Sequence, residues 1–135
     1  MKVKSLDGIE YKLSFKRKNK KFSDLHKQAV ALIKKEYPYI SIAQEVTIRL
    51  DKVKRLYLDI LLPMYFVGIE VQGQQHDEYI PHFHKSKREF VAAQHRDRLK
   101  LEWCELNEIT LIYFRWDETT DEWRRKLKQK LGSSS

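Results

Sequence analysis

This sequence predicts an α/β domain, a mixed central β-sheet flanked by α-helices, and three observations carry that prediction. Residues 56–62 and 66–72 read as two apolar strands joined by a turn at Pro63-Met64-Tyr65. Residues 87–107 carry an apolar stripe at helical spacing. ITLIYF, residues 109–114, follows at once as a buried strand, and a strand–helix–strand order argues for a mixed sheet with helices against it.

Residues 1–22 are expected to form a basic N-terminal arm or hairpin. Asp7-Gly8 is a turn signal between two short alternating segments, and Lys16, Arg17, Lys18, Lys20 and Lys21 are nearly contiguous. Such a cluster fits phosphate contacts, which set affinity and salt dependence but not sequence choice; a solvated arm is the plainer alternative. Residues 23–132 then make one α/β domain. Ser23 can cap a first helix over 23–36, whose stripe is Leu25, Ala29, Leu32 and Ile33. His26 sits at the edge of that stripe, as a packed core residue or as part of a site. A strand over 42–50 follows, with Ile42, Val46, Ile48 and Leu50 on its apolar face and Gln44 as the exception. Glu45 belongs to the opposite face, as an additional acid of a site or as a surface carboxylate paired with lysines.

The next two strands hold the chemistry. Asp59 interrupts Leu56, Leu58, Ile60, Leu61 and Leu62, and Glu70 interrupts Val67, Ile69 and Val71. A carboxylate within an apolar run is costly unless something compensates it. Side chains alternate faces along a strand, so Glu70 and Gln72 share one face, and the hairpin sets Asp59 across from Glu70. Two acids so placed can share a hard divalent ion such as Mg²⁺, which takes one or two carboxylates plus waters and substrate phosphate. A structural ion pair with one of the many Lys or Arg residues is the competing explanation.

Tyr79 to Lys87 is irregular and aromatic. His82 and His84 make a weak zinc signal without further ligands; a DNA-facing loop using Tyr79, Phe83 and Lys85 is preferred. In the helix over 87–107, Phe90, Ala93, Asp97, Leu101 and Cys104 fall on one face, so Asp97 points toward the strands of Asp59 and Glu70. It serves there as a metal or His-orienting ligand, or as a buried partner for an arginine. Arg96, Arg98 and Lys100 flank it and can serve phosphates. Thr119-x-x-Glu122 is a capping box for a last helix with Trp123, Leu127 and Leu131 on its seam, and Gly132 stops it. Ser133-Ser134-Ser135 reads as a disordered tail.

Composition bounds the function. A chain of 135 residues supports one domain with a single real core. Lys and Arg number 27 against 19 Asp and Glu, a formal net charge of +8, which favours a polyanionic partner. The single cysteine excludes a disulfide framework and a cysteine-rich zinc site. No apolar run approaches about 20 residues and no signal-peptide pattern opens the chain, so a cytoplasmic location is expected.

The order Asp59, then Glu70-Val71-Gln72, resembles the PD-(D/E)XK nuclease superfamily, in which an acid ends one strand and an acid-x-Lys lies on the next. The fuller string, IEVQGQQH followed by FVAAQHRDRLKLEWCELNEITLIYF, is similar to small nucleases akin to very-short-patch repair endonucleases and some phage homing endonucleases. The resemblance covers about residues 23–116. It implies a restriction-endonuclease-like core and a metal-dependent endonuclease cutting DNA, double-stranded or branched, with Mg²⁺ or Mn²⁺ on Asp59 and Glu70 and with Glu45 or Asp97 as further ligands. One departure matters. Gln72 stands where the family has Lys, and an amide carries no charge and cannot act as a general base. Gln72 can still orient water or the scissile phosphate, and His76 is the natural replacement for proton transfer, its ordinary pKa lying near 6.5; a plain loop histidine is the alternative. A phage or mobile-element origin fits the resemblance. A DNA-binding module that has lost cleavage, an RNase and a structure-specific nuclease remain alternatives, and oligomeric state is not legible.

Overall fold

The computed structural model describes residues 1–15, 22–74 and 86–132. Its elements, in order, are β1 (Lys2–Lys4), β2 (Glu10–Lys12), α1 (Asp24–Glu36), β3 (Ala43–Arg49), β4 (Arg55–Leu62), β5 (Val67–Gln72), α2 (Lys87–Leu106), β6 (Thr110–Arg115) and α3 (Thr120–Leu131). β3 to β6 form a four-stranded sheet in chain order. β3 and β5 run antiparallel to β4, whereas β6 runs parallel to β5, with α2 as the crossover. The molecule is therefore a mixed α/β sheet flanked by helices.

Local chemistry starts and stops the helices as the sequence predicts. Ser23 Oγ accepts the His26 N–H at 3.1 Å, and Thr119 Oγ1 accepts the Glu122 N–H at 3.2 Å. Gly132, at φ +83°, ends α3 in a conformation that L side chains rarely adopt. Between β4 and β5, Pro63–Tyr65 make a 3-10 turn that closes on Phe66 in the left-handed region.

Two cores fill the two faces of the sheet. On one, Ala29, Leu32 and Ile33 of α1 and Trp123 and Leu127 of α3 pack on Ile60, Leu62, Ile69 and Phe114. On the other, Trp103 and Cys104 of α2 pack with Ala43, Val46, Ile48, Leu58 and Leu61. Val3, Leu6, Tyr11 and Leu13 join this second core, so the β1–β2 hairpin is part of the domain. The basic run Lys16, Arg17, Lys18, Lys20 and Lys21, and the tail 133–135, lie outside the described residues.

Two details depart from the sequence reading. Val46 and Ile48 face α2, but Gln44 bonds to His26 on the α1 side, so they do not share a face. The alternation slips at Glu45, whose φ of +53° turns the strand over. β4 slips at the matching place, since Leu58 and Leu61, three residues apart, lie in one core. The second departure is in α2, where Leu101 is 36% exposed and Trp103 is fully buried. The inward line runs through Lys100 rather than Leu101, because the packing of Trp103 rotates the helix away from the simple apolar stripe.

Candidate acid–lysine site

The register places the predicted acids in one row across the sheet. Ile60 pairs with Ile69, so Asp59 lies across from Glu70. Glu70 in turn pairs with Tyr113 of β6. On the other side, Gln44 pairs with Ile60 and Val46 with Leu58, which sets Glu45 across from Asp59. Glu45, Asp59, Glu70 and Tyr113 thus stand on four adjacent strands.

At the centre of that row the ladder between β4 and β5 is made by side chains. The Asp59 N–H donates to Glu70 Oε2 at 2.9 Å, and the Val71 N–H donates to Asp59 Oδ2 at 2.8 Å. Each acid accepts a backbone donor from the other strand, and the paired backbone register is confined to residues 60–62 and 67–69 on the turn side of the acids. The exchange explains how two acids are tolerated within apolar strands. A buried carboxylate needs donors, and these two take theirs from the backbone groups left over where the strands part.

α2 supplies the third member. Lys100 Nζ lies 2.7 Å from Glu70 Oε1, with side-chain exposures of 16% and 5%. Burial is the first cause acting on Glu70, and the charge of Asp59 adds to it; Lys100 opposes both, and the carboxyl is pushed up to about 8. Burial lowers the Lys100 pKa, but attraction to Glu70, and then to Asp59 and Asp97, outweighs it and leaves the ammonium raised. Tyr113 is raised as well, by burial first and then by the charges of Glu70 and Asp97. Cys104, one turn beyond Lys100, is buried and pushed up to about 12, so it is an inert packing thiol.

The other predicted residues are distributed as follows. Asp97 lies close enough to Lys100 and Tyr113 to act on both electrostatically. Gln72 ends β5 on the face of Glu70, beside Arg115 in the register, and its carbonyl accepts the Trp116 N–H at 2.8 Å. Glu45 is buried at the edge strand of the row. Arg96 and Arg98 are exposed near the middle of α2. His26 is not brought to the row. Its Nε2 is 2.9 Å from Gln44 Oε1, its ring stacks on Phe22 at 4.2 Å, and it lies on the α1 side of the sheet. His76, His82, His84, Tyr79, Phe83 and Lys85 lie outside the described residues.

In the sequence Lys100 reads as one of three cations flanking Asp97, and nothing in it marks Tyr113. A signal for Lys100 was present, since it sits three residues beyond Asp97 and four before Cys104, within the helical spacing of both.

Among the described residues, no group of three or more His, Cys, Asp or Glu side chains could hold a metal ion. The Asp59–Glu70 pair still suits a hard divalent cation, because Mg²⁺ commonly takes two carboxylates and completes its shell with water and substrate phosphate.

No helix among the described residues is long and apolar enough to cross a membrane. A 57-residue stretch, 42% of the chain, is 46% identical to "Uncharacterized protein 307L" of Invertebrate iridescent virus 6. A match of the same length to "Uncharacterized protein 033L" of Invertebrate iridescent virus 3 is 35% identical. The chain matches 29% of the length of each of these relatives. No family model and no solved structure matches the chain. It is similar, over part of its length, to two proteins of iridescent viruses.

Proposed function

We propose that this protein is a metal-dependent endonuclease that hydrolyses phosphodiester bonds in DNA. The observation that carries the reading is the carboxylate pair, in which Asp59 and Glu70 each accept a backbone N–H from the other's strand and Lys100 lies 2.7 Å from Glu70. Asp59 and Glu70 hold Mg²⁺ or Mn²⁺, with Glu45 or Asp97 as a further ligand. A cation so held polarises a phosphoryl oxygen of the substrate. Gln72 orients water or phosphate through its amide, and His76 handles the proton. The net charge of +8 draws the polyanion in, and Arg96 and Arg98 take backbone phosphates. Similarity to proteins of iridescent viruses fits a viral origin, and the cytoplasm of the host is the proposed location.

A second reading has its own support. Lys100 already compensates Glu70, and Gln72 carries no charge, which is the arrangement expected of a nuclease fold that binds DNA without cutting it. The test sets wild type beside Asp59→Ala and Asp59→Asn, the latter keeping an oxygen for the Val71 N–H. Each is incubated with supercoiled plasmid, single-stranded DNA, branched DNA and RNA, in EDTA, Mg²⁺ or Mn²⁺. The endonuclease reading expects cleavage by wild type only with metal, and a loss of at least about a hundredfold in both variants. Equal, salt-sensitive binding by all three without cleavage under any condition would establish the binding module instead. Cleavage of RNA or of branched DNA alone would reassign the substrate.

A further inference from the structure

We infer that Lys100, brought to the sheet by α2, is a catalytic residue of this site, whose ammonium binds a non-bridging oxygen of the scissile phosphate and supplies the positive charge that Gln72 lacks. The inference rests on the phosphodiesterase reading above and deepens it.

Three observations support it. The first is donor arithmetic: an ammonium carries three N–H donors, and among the described residues Lys100 makes one hydrogen bond, to Glu70 Oε1 at 2.7 Å. A buried cation with unused donors is suited to receive an anion. The second is its surroundings. Its ammonium sits against Glu70 of the sheet at 2.7 Å, with only 16% of its side chain exposed. A position that required only packing would take an apolar side chain, as the neighbouring Trp103 does, without the cost of desolvating a charge. The third is convergence. Gln72 shares the face of Glu70 and lies two residues along β5, about 7 Å away, within reach of a lysine side chain. Positions 72 and 100 therefore approach one spot from two elements.

That convergence supplies the test. Wild type, Lys100→Met, Gln72→Lys and the double variant Lys100→Met/Gln72→Lys are compared for DNA cleavage with Mg²⁺, DNA binding in EDTA, thermal stability, and Mn²⁺ binding without DNA. Lys100→Met is expected to lower cleavage at least about a hundredfold, the usual loss when a charge-stabilising donor is removed. Its Mn²⁺ affinity should be unchanged or tighter, since a cation competing for Glu70 is gone. Relocating the lysine in the double variant should recover at least about tenfold of the loss. Cleavage by Lys100→Met close to that of wild type overturns the inference, as does a folded, Mn²⁺-binding double variant that stays as slow as the single one. If Lys100→Met does not fold, Lys100→Gln keeps a donor to Glu70, and the same loss or retention decides. Cleavage lost in Asp59→Ala but kept in Lys100→Met would remove the role of Lys100 alone, whereas a wild type that binds DNA and never cuts removes both readings.

Discussion

Glu70 is the residue on which most of the electrostatics converge. Its carboxyl holds a proton up to about 8 in the folded protein, against an ordinary 4.5. A group raised in this way contributes stability that is complete below its unfolded pKa and is lost as pH climbs through its folded one. Thermal unfolding in EDTA is therefore expected to show Tm falling between about pH 4.5 and pH 8, a loss on the order of a few kcal/mol. Glu70→Gln should flatten that fall, and an unchanged slope would mean that the buried carboxyl titrates like an exposed one. Bound divalent cation should act in the same direction, because it replaces the proton as the compensating charge. Asp59 and Glu70 were legible in the sequence because each is an acid among aliphatic neighbours. Lys100 was not singled out, because a lysine among Arg96, Arg98 and Glu102 looks like part of a solvated face, and only the rotation of α2 turns it inward.

β5 shows how closely an element is fitted around such a pair. Gly68 lies two residues before Glu70 on the same face, and a Cβ there would meet Leu58 Cδ2 at 3.1 Å, with Ile109 Cγ2 and Leu111 Cδ1 at 3.4 Å. Leu58 is fully buried and has little room to yield. Gly68→Ala is expected to destabilise the fold by on the order of 1–3 kcal/mol, read from the midpoint of denaturant unfolding; a midpoint equal to that of wild type would show that the core can make room. The strands and helices themselves were largely legible, because period-two runs, Ser23 and Thr119 caps and the Pro63 turn are local signals. The slip at Glu45 was not, since a positive φ at a glutamate has no sequence mark. The same slip explains why Gln44 looked like an exception on an apolar face when its side chain serves the opposite core through His26.

For the molecule as a whole, the excess of 27 basic over 19 acidic residues governs what it meets first. If the partner is DNA, affinity should fall about a hundredfold or more between roughly 50 and 200 mM salt, as expected for some four or more phosphate contacts. Asp59→Asn should leave that dependence unchanged in EDTA. Affinity indifferent to salt would argue against a phosphate-backbone partner. Ions in solution would thus set how often a polyanion arrives, and the acid row would decide what happens next. The exchange between Asp59 and Glu70 adds a consequence of another kind. The amides of Asp59 and Val71 are tethered to carboxylate oxygens instead of carbonyls, so any change in charge at the acids is felt directly by the backbone. Where most sheets keep their stitching and their chemistry on separate atoms, here they are the same atoms, and arrival of a cation or a proton becomes a mechanical event at the fork between two strands.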